Sequence, residues 1–198
     1  MNQQQIPTIG APFEGGYFGG IVRVHAALFA IAWAPKAVGQ TRGPWLPQRK
    51  SAPGADSCFD SLANTLAMAE AGSAIAKWAL DLRIGGFDDW CLPARDVLEL
   101  GYRHLKPSTD ETICGFRDGD NPSSAPVGYP YMPALVQTSV QAFQAGSAEA
   151  FDPAWYWAST QDSESDAWNQ NFSNGYQFDC GKTYEGLARA VRLIQLEA

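Results

Sequence analysis

The sequence predicts an α+β fold: a mostly antiparallel sheet with two or more helices and long loops. Three features predict it. Tyr17–Trp33 and Tyr156–Leu196 are rich in β-branched and aromatic residues, the composition of strands. The region between them carries apolar stripes at spacings of three and four, the helical period. Clusters of Pro and Gly punctuate the whole chain and mark loops.

Taken in order, residues 1–16 are polar, then contain Pro and Gly, and read as an extended arm suited to docking on a partner. Tyr17–Trp33 reads as two short strands. Residues 34–57 hold Pro35, Pro44, Pro47 and Pro53 with Gly39, Gly43 and Gly54, an irregular loop. Leu62, Leu66 and Ala69 form one apolar stripe; Ile75, Ala79 and Leu82 form a second. Ser73 is placed to cap the second helix, while Gly72 either ends the first or is tolerated within it. Trp90–Leu92 reads as a short strand. Pro93 suits a helix start, with Val97, Leu98, Tyr102 and Leu105 on the buried face. After a loop over 106–132, residues 133–145 predict a short helix through Leu135, Val136, Val140 and Phe143, stopped by Gly146. The end reads as strands at Tyr156–Thr160, Ala167–Phe172 and Tyr176–Cys180, then one last strand over Leu187–Leu196. An Asn174-Gly175 turn makes a hairpin of the middle pair. In domain terms, 1–57 is an arm, hairpin and Pro/Gly-rich loop, part of the same domain or an attachment region; 58–198 is the domain proper.

The 198 residues carry a net charge of −7, with no Lys/Arg cluster. Nucleic acid and anionic membranes are therefore not expected as partners. No apolar run approaches the roughly 18 residues of a membrane span, and the polar start Asn2–Gln5 argues against a signal peptide. Cys58, Cys91, Cys114 and Cys180 are widely spaced; with only His25 and His104 beside them, zinc-site spacing is absent. They read as mostly reduced thiols of a protein made in a cytoplasm, with a disulfide left open. Nucleophile elbows and phosphate-binding loops are missing. Asp88-Asp89 and Glu164/Asp166 read as solvated loop acids, not a glycosidase pair. No E-P-N or W-N-D run suggests calcium. Neither a cofactor nor a catalytic residue is expected.

The richest stretch is "WYWASTQDSESDAWNQNFSNGYQFD", residues 155–179. Strand alternation puts Trp168, Gln170 and Phe172 on one face and Ala167, Asn169 and Asn171 on the other. Burying Trp168 and Phe172 is worth roughly 2–3 kcal/mol each, so theirs is the inner face. Trp157 is grouped with Trp168, and Asn169 and Asn171 are expected to face solvent beside the polar loop 162–166. Tyr176 and Phe178 are candidate exposed anchors. Tyr, Asn, Ser and Asp on loops are also the kit of antibody paratopes.

Four segments, "GGFDDWCLPARDVLELGYRHL", "AFDPAWYWASTQ", "DAWNQNFSNGYQ" and "YEGLARAVRLI", together resemble the DUF1566, or Lcl C-terminal domain, family, in order over about residues 60–195. The resemblance implies a C-type-lectin-like fold. It also implies a phage tail protein, made in the host cytoplasm, that binds a host-surface protein or glycan, with the N-terminal arm and Pro-rich loop attaching it to other tail proteins or to copies of itself. Some such proteins are targets of diversity-generating retroelements. Carried over by position, the ligand-binding candidates are Asp162, Ser163, Ser165, Asp166, Asn169, Asn171, Asn174, Tyr176, Phe178 and Asp179. Trp157, Ser159, Thr160, Trp168, Phe172, Ala190 and Arg192 are the scaffold. The alternative is a tail-tip or baseplate component whose C-terminal face binds another virion protein.

Overall fold

The computed structural model describes residues 6–113, 120–127 and 136–197. Tyr17–Trp33 forms the expected hairpin: β2 (Gly16–Val24) pairs antiparallel with β3 (Ala27–Trp33), following a two-residue β1 (Pro12–Phe13). His25 sits in the β2–β3 turn at φ 53°, not on a strand as its sequence context suggested.

Residues 34–57 are more ordered than their prolines implied. They contain a short α1 (Lys36–Gly39) and β4 (Gln40–Pro44). β4 is an edge strand with Pro44 at its end, where a missing N–H costs little. α2 (Ser61–Glu70) and α3 (Ala74–Asp81) follow. Asp60 caps α2 by accepting from the Ala63 N–H, and Ser73 caps α3 by accepting from the Ala76 N–H. Gly72, at φ 102°, closes α2: its N–H and that of Ser73 reach the Ala69 and Met68 carbonyls, a Schellman arrangement. The buried face of α2 is nevertheless Ser61, Asn64, Thr65 and Met68; Leu62 and Leu66 are nearly half exposed. The reason is polar. Ser61 and Thr65 hydroxyls accept the Ala94 and Leu92 N–H groups, and Asn64 donates to the Ser57 carbonyl. This face satisfies the backbone leading into the next helix.

That helix, α4 (Arg95–Leu105), is buried along its length except at His104. It packs between two sheets, one ordered β1-β2-β3-β9, the other β4-β8-β5-β6-β7. The later strands are β5 (Trp155–Gln161), β6 (Asp166–Asn171), β7 (Gln177–Gly181), β8 (Glu185–Arg189) and β9 (Val191–Gln195). Neighbours are antiparallel except β5 and β8, which meet in parallel at Tyr156 and Leu187. The expected single final strand is thus two, in different sheets. Ala190 separates them: its N–H donates to the Gly39 carbonyl and its own carbonyl accepts from Ala34. Two other expected elements shrink. Trp90–Leu92 contributes one bridge, Cys91 to Val191. Of the helix expected over 133–145, residues 133–135 (with Leu135) lie outside the described residues. The rest holds a 3-10 turn, Gln141–Phe143. There the Thr138 and Ala145 N–H groups donate to Lys106 and Pro107 carbonyls instead of a helical ladder. No helix among the described residues is long and apolar enough to cross a membrane.

Candidate ligand-binding groove

The sheet containing β5, β6 and β7 is covered on both faces. Tyr156, Ala158, Trp168, Phe172 and Leu187 pack toward α4. Trp157, Ala167 and Ala188 pack on the other side with Trp45, Met68, Ile75 and Ala79 from the β4 end, α2 and α3. Trp157 is the cross-strand partner of Asn169, not of Trp168. Trp157 and Trp168 therefore lie on opposite faces, which corrects their grouping by sequence. Alternation separated the two faces properly; a second layer of helices buries the one expected to face water. Trp157 is locked there by donating its indole N–H to the Gly43 carbonyl at 3.1 Å. Gly186 makes room for it: a Cβ at that position would stand 2.5 Å from Trp157 Nε1.

The helical layer does not cover the whole face. Trp157, Asn169 and Phe178 form one row across β5, β6 and β7, and Phe178 is 49% exposed. Trp155 and Tyr184, 37% and 58% exposed, stand beside them. Together with Cys180, Glu185 and Gly186 these residues line a groove of about 350 Å³. The aromatic surface continues past its mouth: Trp155 meets Tyr176 edge-on at 6.3 Å, and Tyr176 stacks on Phe178 at 6.2 Å. Asn169 lines the groove, 7% exposed, and its Oδ1 is buried with no hydrogen-bond partner. Such an oxygen costs roughly 1–3 kcal/mol unless something donates to it. Asn169 thus does not face open solvent, contrary to expectation; it lies at the bottom of a concavity.

The ten candidate residues divide between places. Asn169, Asn171, Tyr176 and Phe178 share the groove face. The Asn171 and Asn174 side chains are occupied in shaping the β6–β7 turn, accepting from the Ser173 and Tyr176 N–H groups at 2.9 and 3.1 Å. Asp162, Ser163, Ser165 and Asp166 lie at the opposite end of β6. There the Ser165 and Ser163 hydroxyls donate to the Asp166 carboxylate and hold it below the usual carboxylate range. Asp179 is the cross-strand partner of Trp168, on the face away from the groove. On that face the Arg95 guanidinium lies 3.6 Å from the Trp168 ring centre and donates to Gln177. Asp162 is pushed up by burial and by Asp179 and Asp166, against the pull of Arg95.

The scaffold candidates are all buried. The Ser-Thr pair ties two segments, 57 and 93–95, to β5: Ser159 N–H donates to the Pro93 carbonyl, Thr160 Oγ1 accepts from Arg95 N–H, and its hydroxyl donates to the Ser57 carbonyl. Sequence reasoning missed Lys182. Its ammonium, fully buried, donates to the Lys50, Ser163 and Glu164 carbonyls and to Gln161 Oε1, so it clasps the 162–166 turn. It also missed the groove walls Trp155, Tyr184 and Glu185 as a set, because the parallel neighbourhood of β8 and β5 that brings them together was not foreseen. The one available signal was the aromatic density of 155–157 and Tyr184.

Among the described residues no group of three or more His, Cys, Asp or Glu side chains is arranged to hold a metal. Cys91 and Cys180 are free thiols, and burial pushes both up. Cys114 lies outside the described residues. No family model matches this chain, and no curated protein matches it.

Proposed function

We propose that this chain is a non-enzymatic ligand-binding protein with a C-type-lectin-like fold, carried on a phage tail. Its C-terminal sheet contacts a host-surface molecule, and no bond is made or broken there. The observation that carries the reading is the groove: an aromatic-walled concavity with a buried, unpartnered amide on its floor. Apolar walls around a few fixed polar groups are the composition of a binding site. The arrangement of the quoted motifs supports it too. Arg95 lies against Trp168, Ser159 and Thr160 tie β5 to residues 57 and 93–95, and Arg192 of the neighbouring sheet holds Asp89.

A second reading, a tail-tip or baseplate component binding another virion protein, is favoured by one feature. Leu62 and Leu66 stand exposed one turn apart on α2. Fluorescently labelled protein separates the two. In the leading reading it decorates cells of the host strain, and changing Trp155 and Phe178 together to Ala lowers decoration at least about tenfold, as loss of aromatic anchors does. Labelled protein that ignores cells but is captured by tails lacking it supports the assembly role instead.

A further inference from the structure

We infer that the groove takes an uncharged sugar ring of a glycan, stacked on its aromatic walls and hydrogen-bonded to Asn169 and Glu185; this rests on the ligand-binding reading above. The apolar C–H face of a pyranose fits exposed aromatic walls such as Trp155, Phe178 and Tyr184, since aromatic π-faces carry partial negative charge. The groove's volume, about 350 Å³, lies at the small end of ligand sites, which run from about 300 to 1,000 Å³. That suits one or two sugar rings better than a folded protein surface.

Charge excludes the other small ligands. Glu185 is the formal charge among the lining residues and the chain as a whole carries −7, while the neighbouring Arg49 guanidinium is engaged over the Tyr184 ring, 5.9 Å from its centre; an acidic sugar or a phosphate therefore meets net repulsion. An ammonium group is disfavoured for a different reason. Glu185 stands at the exposed rim, and a cation driven to the floor would lose its hydration against apolar walls for one amide. Hydroxyls suit the floor better. The Asn169 amide offers both acceptor and donors, and a hydroxyl both donates and accepts. It satisfies the amide whichever way the group is turned, while an ammonium only donates. Glu185 accepts from further hydroxyls as a charge-assisted bond.

The test reads Trp155, the groove wall that is 37% exposed; Trp33, Trp45, Trp90 and Trp157 are at most 1% exposed, and the half-buried Trp78 and the 9%-exposed Trp168 lie outside the groove lining. Methyl glycosides of glucose, galactose, mannose and N-acetylglucosamine, with a wider panel of neutral oligosaccharides, are titrated against the intact protein; sialic acid is the charged control. The expected result is a saturable blue shift with at least one neutral sugar and none with sialic acid. Asn169→Leu weakens it about tenfold, Asn169→Asp, which keeps the acceptor, far less, and Glu185→Gln severalfold. Thermal melts of each variant confirm folding, and Glu185→Gln, at the rim, serves if Asn169→Leu does not fold. Binding to charged glycans alone overturns the assignment. So does silence with every neutral glycan when cell decoration resists periodate and is abolished by protease; the ligand is then a protein and the proposed function stands. Silence together with no cell decoration overturns both.

Discussion

Lys182 shows how much one residue decides without a sequence signature. A lone lysine after a strand reads as a solvated charge, yet here it is fully buried with four oxygen acceptors at 2.8–3.0 Å and the Trp45 ring 4.8 Å away. Replacing it by Met keeps the volume and strands four acceptors. We expect a loss of about 2–4 kcal/mol in urea unfolding, with faster amide hydrogen exchange confined to 162–166 and the segment near Lys50. A surface lysine would change neither. Asn169 is the converse: its strand position was legible, but its burial without a partner depends on Trp157 and Phe178 arriving from either side.

At the scale of elements, caps were read well and faces less well. Ser73 and Gly72 do what their chemistry dictates, because a cap is satisfied by its own neighbours in sequence. The burial of α2 is not local. Its leucine stripe predicted one face; the polar side chains of Ser61, Asn64 and Thr65 won the other, since only they complete the backbone bonds of 57 and 92–94. Leu66→Lys is therefore expected to cost less than about 0.5 kcal/mol and Met68→Ala about 2–5 kcal/mol. Equal losses by denaturant melts would return the leucine stripe to the core. α4 carries a similar lesson. Its apolar positions were legible, but the burial of Asp96, Glu99 and Arg103 was not. Ser123 donates to the Asp96 carboxylate, Asn121 donates to the Glu99 carboxylate, and Glu99 pairs with Arg103 one turn away.

For the whole molecule, the crossing from β8 to β9 joins the two sheets. Arg189, just before it, is fully buried and donates to the Ala34 and Glu149 carbonyls and to the Glu149 carboxylate at 2.6–2.9 Å. Arg192, just after, holds Asp89 and the Glu14 carbonyl. Two arginines on one short segment thus gather four distant stretches of chain. Arg189→Met removes the charged partner of the Glu149 carboxylate, which keeps only neutral donors such as the Lys36 N–H, and takes the Arg189 donors from two carbonyls; we expect it to cost about 3–5 kcal/mol. Glu149→Gln, which keeps an acceptor, should cost less than half of that. Equilibrium unfolding of both variants checks the order; a reversed order would mean that Glu149, not Arg189, organises the junction.

The sequence by itself determined the α+β class, the β2–β3 hairpin, the three main helices with the Gly72 and Ser73 caps between the first two, and the aromatic-polar character of 155–179. All of these rest on periodicity and chemistry within a dozen residues. Tertiary structure decided the rest. It split the final strand, because Ala190 bonds to residues 34 and 39. It placed Trp157 and Trp168 on opposite faces of a sheet buried on both sides. It also put Asn169 at the floor of a groove whose walls come from β5, β7 and the entry to β8. Alternation tells which side chains share a face; what covers that face is fixed by segments far away in the sequence, such as Trp45 and the α2 and α3 helices.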